Sequence, residues 1–207
     1  MTFTSKLLAA SATIWLGSMA VGGAAIISPE PAAVESPVRY DAKGNLLRPD
    51  DYREWVFLSS GVDMTYGSPA ASREPDMHMF TNVFVNPESY RAFKKTGTWP
   101  DKTMLVLEVR HSGTDRRPNR AGMFQVERVG LEAHVKDSAK NGWTFYGFEE
   151  TGSGDPMPQT SACNTCHAEH GAVDNTFVQF YPELLEVAKA KGTIKTGYEF
   201  AQKTAKP

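Results

Sequence analysis

In "TMLVLEVR" (Thr103–Arg110) apolar and polar positions alternate with a period of two. The segment is therefore predicted to be a strand, with Thr103, Leu105, Leu107 and Val109 on one face and Met104, Val106, Glu108 and Arg110 on the other. The first face is expected to be the buried one. "MFTNVFV" (Met79–Val85) is β-branched and aromatic enough for a second strand, ended by Asn86. "GMFQVERVGLEAHV" (Gly122–Val135) predicts two strands, or one bent at Gly130, and "GWTFYGF" (Gly142–Phe148) predicts another. In "NPESYRAFKKTG", Asn86 can cap, Pro87 suits the first helical position, Tyr90 and Phe93 share a face and Gly97 can close the end, which predicts a helix over 87–96. "YPELLEVAKAKG" repeats that grammar with Pro182 and Gly192. "RPDDYREWVFL" gives a short helix at most, with Asp50 or Asp51 as cap and Trp55, Phe57 and Leu58 as its apolar side, followed by a polar loop over 59–76. Strands that follow one another without intervening helices imply an antiparallel sheet with helices packed against it, an α+β domain, with the cysteines carried on a loop between the last strand and the terminal helix.

The N-terminus changes this picture only by subtraction. Lys6 is followed by an uncharged run from Leu7 to Ile27, with small residues at Gly23 and Ala25 as at a signal-peptidase site. Residues 1–28 are read as an export signal, or as a membrane anchor if uncleaved, since about 20 apolar residues suffice to span a bilayer. Residues 29–38, within "SPEPAAVESP" and its continuation, have a tether's composition, which leaves 39–207 as one domain outside the cytoplasm, in the periplasm. Setting 1–28 aside removes only one charged residue, Lys6, and leaves 21 basic against 24 acidic residues, a balance that excludes a nucleic-acid partner. The arginines of "RHSGTDRRPNR" (Arg110–Arg120) sit among turn-forming residues and read as a solvated loop.

Chemistry enters at "ACNTCHAEHG". Cys163 and Cys166 are the only cysteines in 207 residues, and His167 follows directly. As a structural disulfide the pair would close too short a loop to remove much unfolded-chain entropy. A structural zinc site wants four ligands, and the other histidines supply no second paired spacing. C-x-x-C-H instead suits one covalently attached haem c, with two thiols to add across the vinyl groups and the adjacent imidazole delivered to the iron from one side. His167 is then the proximal metal ligand. A protein side chain at the sixth iron position would make an electron carrier, whereas an open position would make a binding or catalytic site. Met77, Met79, Met123 and Met157, and His78, His111, His134 and His170, are candidates for that position.

Taken together, "YREWV" (Tyr52–Val56), "NPESYRAFKKTG", "GLEAHVKD" (Gly130–Asp137), "GWTFY", "CNTCH" and "FVQFYP" (Phe177–Pro182) resemble the cytochrome P-460 family and its relative cytochrome c′-beta. The resemblance implies a mostly antiparallel fold, a c-type haem, a homodimer, and a distal pocket open to small nitrogen ligands, which in P-460 proteins oxidises hydroxylamine or nitric oxide. It places the family's haem-crosslinking lysine at Leu107, a pocket arginine at Thr81 and the pocket glutamate at Glu132, a candidate for distal proton transfer. Leucine has no amine, so that crosslink cannot form at 107. Lys136, on the same strand segment as Glu132, is read as structural. The expectation is an exported haem protein that binds nitric oxide or hydroxylamine or, as an oxidoreductase served by a redox partner cytochrome, converts them. The alternative is a periplasmic electron-transfer cytochrome with a six-coordinate haem.

Overall fold

Five strands run antiparallel in the spatial order β2-β3-β4-β5-β6: β2 (Val56–Val62), β3 (Met79–Val85), β4 (Met104–Gly113), β5 (Phe124–Asp137) and β6 (Gly142–Phe148). The computed structural model describes residues 36–64, 78–149, 152–198 and 200. The predicted export segment, most of the tether and Met77 lie outside the described residues. Two short strands, β1 (Leu46–Leu47) and β7 (Ser153–Gly154), pair with each other. Three helices complete the domain: α1 (Pro87–Thr96), α2 (Ala162–His170) and α3 (Pro182–Lys191). Among the described residues no helix is long and apolar enough to cross a membrane. The expected α+β class with an antiparallel sheet is what the chain adopts.

α1 and α3 keep their predicted bounds, each starting at a proline and ending at a left-handed glycine, Gly97 (φ 77°) and Gly192 (φ 66°). Asn86 does not cap α1 with its side chain; its Oδ1 accepts from the Met104 N–H at 2.9 Å and ties the helix start to β4. Gly130 does not divide its segment, because β5 is a single strand whose pairing with β4 becomes irregular beside that residue. The short helix predicted to include Phe57 and Leu58, and the polar loop predicted from Ser59, are both partly wrong. Only Tyr52–Glu54 are helical, as one 3₁₀ turn, and Val56–Val62 form the edge strand β2. "VFLSSGV" is half-buried on an edge, so tertiary pairing with β3 decides its conformation where composition did not.

The larger correction concerns which face of β4 is buried. Both are. Met104, Val106 and Glu108 are wholly buried on the face expected to be exposed, where they meet Val38, Leu46, Tyr52 and Trp55 from the N-terminal segment. On the opposite face Val85, Leu105 and Trp143 pack against Phe93, Trp99, Val178 and Leu184 from the helices and the segments beside them. The sheet is the middle layer of three, so alternation along β4 cannot mark one side as wet.

Within the first layer Glu108 is a buried carboxylate with 0% side-chain exposure. It accepts from the Tyr52 hydroxyl (2.5 Å), Arg53 Nη1 (2.7 Å), Asn82 Nδ2 (3.0 Å) and Arg110 Nε (2.8 Å). Asn82 also donates to Gln125 Oε1 at 2.6 Å, so the cluster joins the 3₁₀ turn to β3, β4 and β5. These donors outweigh the burial that alone would raise its pKa, and they hold Glu108 down to about 2.

Candidate functional site

The helix that carries C-x-x-C-H was expected as a loop. Ser161 caps α2, its hydroxyl accepting from the Asn164 N–H at 3.4 Å, and spacings of three and four bring Cys163, Cys166 and His167 to one side of the helix. The thiols are not joined to each other. α2 has only nine residues and none is buried in the polypeptide. Isolated helices shorter than about 12–15 residues are marginal in water, so α2 is stabilised by what packs on its cysteine side.

Across from α2 the sheet supplies the other wall of a cavity of about 460 Å³. Strand register explains the wall: Val83 lies opposite Leu107, Leu107 opposite Glu132, Leu105 opposite His134, and His134 opposite Phe145. These side chains share one sheet face because successive residues alternate. Thr81 lies two residues before Val83 on β3, and Gly61 of β2 is its partner, so both join the same wall. The three sequence-predicted pocket residues, Leu107, Thr81 and Glu132, therefore meet in one cavity with Cys163, Cys166 and His167.

His167 is held from four directions. Its ring stacks on Phe177 at 3.9 Å, and the edges of His134 and Phe145 meet it at 4.8 and 4.7 Å. Its Nδ1 lies 3.0 Å from the Asn175 carbonyl. A carbonyl can only accept, so Nδ1 carries the proton and Nε2 keeps its lone pair for a metal. Burial lowers the His167 pKa, which favours the same neutral form.

Asn175 reaches this position through a two-residue turn, "VDNT". Val173 pairs with Thr176, while Asp174 (φ 48°) and Asn175 (φ 56°) take the left-handed conformation that Asp and Asn tolerate best. Lys136 fixes the turn, its Nζ donating to Asp174 Oδ2 (2.5 Å) and to the Trp99 carbonyl (2.8 Å), and Trp99 Nε1 donates to Thr176 Oγ1 at 2.8 Å. The structural reading of Lys136 thus has a specific content: it braces the imidazole from behind. Gly171 lets the turn lie against α2, since a Cβ there would sit 2.6 Å from the His167 carbonyl oxygen and 2.7 Å from the Asn175 carbonyl carbon. Gly171→Ala is expected to force these backbones apart, lowering stability by about 1–3 kcal/mol and loosening His167. Thermal unfolding together with a titration of cofactor loading measures both effects.

Glu132 is partly buried, and among the described residues no side chain bonds or pairs with its carboxylate; burial alone raises its pKa. An unpaired carboxyl at an apolar cavity wall is suited to proton transfer rather than to structure. No lysine lines the cavity among the described residues.

Four of the candidate sixth ligands have other engagements or positions. His78 pairs with Asp63 (2.5 Å), His111 with Glu127 (2.9 Å) and His170 lies 3.7 Å from Glu169, while Met123 is exposed. Met79 and Met157 are not among the cavity residues. His134 is in the wall, but beside His167 rather than across the cavity from it. Met64, which the sequence did not single out, also lines the cavity, its Sδ lying over Gly61 where a Cβ would approach it to 2.2 Å. It lies just beyond β2, after Asp63 has taken a left-handed φ of 57°.

The residues fit the group expected from C-x-x-C-H. Two unlinked thiols and a neutral imidazole face a partly open, largely apolar space of a volume within the range of about 300–1,000 Å³ usual for cofactor pockets. Compared with known proteins, residues 49–178 match the family model described as Cytochrome P460. No curated protein matches the chain.

Proposed function

We propose, from the premise that the chain belongs to the cytochrome P460 family of haem proteins, in which hydroxylamine oxidation is a known role, that it holds one haem c in the α2 cavity and binds nitric oxide there. Cys163 and Cys166 would form the thioethers and His167 Nε2 would ligate the iron. When bound, the haem supplies a metal site for a small nitrogen ligand and a store for one electron at a time.

The observation that carries the reading is the far wall of the cavity, where Leu107 occupies the centre of the sheet face with Val83 and Glu132 as its strand partners. An apolar wall without an amine favours a neutral diatomic and penalises a charged ligand, which loses hydration on entry. It also leaves the haem ring without the crosslink that the resemblance associates with P-460 chemistry. Oxidation of hydroxylamine is the second reading, supported by Glu132: each electron withdrawn from that substrate releases a proton, and an unpaired carboxylate can take it. The electrons would leave to a redox partner cytochrome. Export to the periplasm and a homodimer complete the proposal, on the leader-like residues 1–28 and the family resemblance respectively.

Optical spectra of the ferric and ferrous protein, with and without nitric oxide, test it. A high-spin spectrum that shifts with nitric oxide and lacks a red-displaced ferrous band is expected; a low-spin spectrum indifferent to nitric oxide would leave an electron carrier. Glu132→Gln separates the two readings. If hydroxylamine is a substrate, its oxidation rises with pH through the raised Glu132 pKa, and the substitution flattens that profile and slows turnover by about 10²-fold. Nitric oxide affinity is expected to stay within a factor of about three, since Glu132→Gln leaves the apolar wall unchanged.

A further inference from the structure

To brace the turn over residues 173–176 a hydrogen-bond donor would suffice, yet the chain places a full positive charge there. Lys136 stands on the face of β5 that also carries Glu132 and His134, and it is the only lysine or arginine from Gly130 to Asp137. Three groups hold its ammonium: Asp174 Oδ2 at 2.5 Å, the Trp99 carbonyl at 2.8 Å and the Trp143 ring, whose centre lies 6.0 Å away. The side chains of Lys136 and Asp174 are only 27% and 29% exposed, so solvent screens this pair less than one on the open surface. Asp174 is the neighbour in sequence of Asn175, whose carbonyl receives the His167 Nδ1 proton at 3.0 Å. Trp99 Nε1 donates to Thr176 Oγ1 (2.8 Å), which donates in turn to the Val173 carbonyl (2.7 Å), so the turn that carries this acceptor is fixed from its other end as well.

We propose that Lys136 and Asp174 are positioning residues that act through the Asn175 carbonyl, their opposite charges setting how much electron density His167 gives to the iron, and with it the reduction potential. This rests on His167 being the iron ligand. A carbonyl that accepts more strongly draws the Nδ1 proton outward, leaves Nε2 richer in electrons and favours the ferric state; one that accepts more weakly does the reverse. Negative charge beside the acceptor oxygen strengthens it and positive charge weakens it.

With both charges in place the two effects oppose each other at the turn. Removing the charge of Lys136 leaves the Asp174 carboxylate alone beside the acceptor, and removing the charge of Asp174 leaves the ammonium alone. The two substitutions therefore push the ligand in opposite directions. Loss of a mechanical brace is common to both and would push it the same way, so the sign of the two shifts separates a tuning role from a purely structural one.

The test is the reduction potential of the haem-loaded protein in Lys136→Met, Asp174→Asn and the double variant. Methionine keeps an unbranched side chain, and asparagine keeps an acceptor for Lys136 Nζ and tolerates the left-handed φ of 48° at position 174. Thermal unfolding checks the fold of each. The expected result is a lower potential in Lys136→Met, a higher one in Asp174→Asn, and a double variant nearer to the unaltered protein than either. Single variants that shift in the same direction, or that do not shift, overturn the proposal. Proton NMR of the full chain follows the His167 Nδ1–H itself, in the ferrous carbon monoxide complex or in protein isolated without haem. Its resonance is expected to move downfield in Lys136→Met and upfield in Asp174→Asn, and a resonance that ignores both substitutions overturns the proposal as well. Because that resonance can be read without haem, failure of the haem assignment and failure of this inference are told apart.

Discussion

Replacing both Cys163 and Cys166 by alanine is expected to convert the proposed haem from one that stays with the polypeptide through acid denaturation into one that is wholly extracted by organic solvent. The thioether forms when a thiol adds across a vinyl double bond, sulfur to one carbon and hydrogen to the other, so a side chain without sulfur leaves nothing to hold the ring once the fold is lost. Each single variant keeps one thioether and is expected to retain haem through the same treatment. Burial raises the pKa of the Cys166 thiol, as do, secondarily, the charges of Glu169 and Cys163, which favours the neutral thiol over a thiolate prone to oxidation. His167→Ala gives a different result. The thioethers are expected to form and the haem to be retained after denaturation, while the native spectrum is expected to lose the signature of a histidine ligand. The pair of experiments therefore distinguishes tether from ligand. Haem that is extractable from the unaltered protein would remove the c-type assignment altogether.

The second large effect lies on the far side of the sheet. Glu108→Ala is expected to lower the unfolding free energy by about 3–5 kcal/mol, because it removes at once the acceptor shared by the Tyr52 hydroxyl, Arg53 and Arg110 Nε and leaves Arg110 with the Val126 carbonyl alone. Glu108 has its pKa lowered from 4.5 to about 2 by its donors. A carboxylate with a depressed folded-state pKa contributes stability that is fully present above its unfolded-state pKa and is lost as pH falls through the folded one. The contribution of Glu108 is therefore intact above about pH 5 and fades between there and about pH 2, amounting in all to about 3 kcal/mol. Denaturant unfolding at a series of pH values measures this. In Glu108→Gln that part of the acid sensitivity disappears, because the amide does not titrate. An unchanged acid profile in Glu108→Gln would show that other carboxylates govern the transition. Since the cluster joins the 3₁₀ turn to β3, β4 and β5, its loss is also expected to loosen the sheet that forms the cavity wall.

Local chemistry accounts for what was legible in the chain. α1 and α3 were readable to the residue because proline at the start and left-handed glycine at the end are short-range constraints. β3 and β6 were readable because their aromatic and β-branched residues favour extended backbone whatever packs on them. The motif Cys163, Cys166, His167 was readable because its spacing is itself the chemistry. Leu107 and Glu132 came from family resemblance, and register alone makes them neighbours.

The rest was decided by contacts between residues far apart in sequence. β2 is a strand because β3 offers it an edge, not because "VFLSSGV" insists on one. Glu108 looked solvent-facing, since an alternating pattern cannot say that the N-terminal segment folds back over that side of β4 with Tyr52 and Arg53. The tautomer of His167 depends on a turn eight residues away that Lys136 and Trp99 brace from two other parts of the chain. His134 and Trp143 lie ring to ring only because β5 and β6 pair. Sequence by itself determined the helix ends, most of the strands and the atoms that can bind haem, because backbone propensity and covalent spacing act over a few residues. Tertiary structure decided which groups are buried, which are paired and which face the cavity, because burial and pairing are properties of the space between segments and have no local signature.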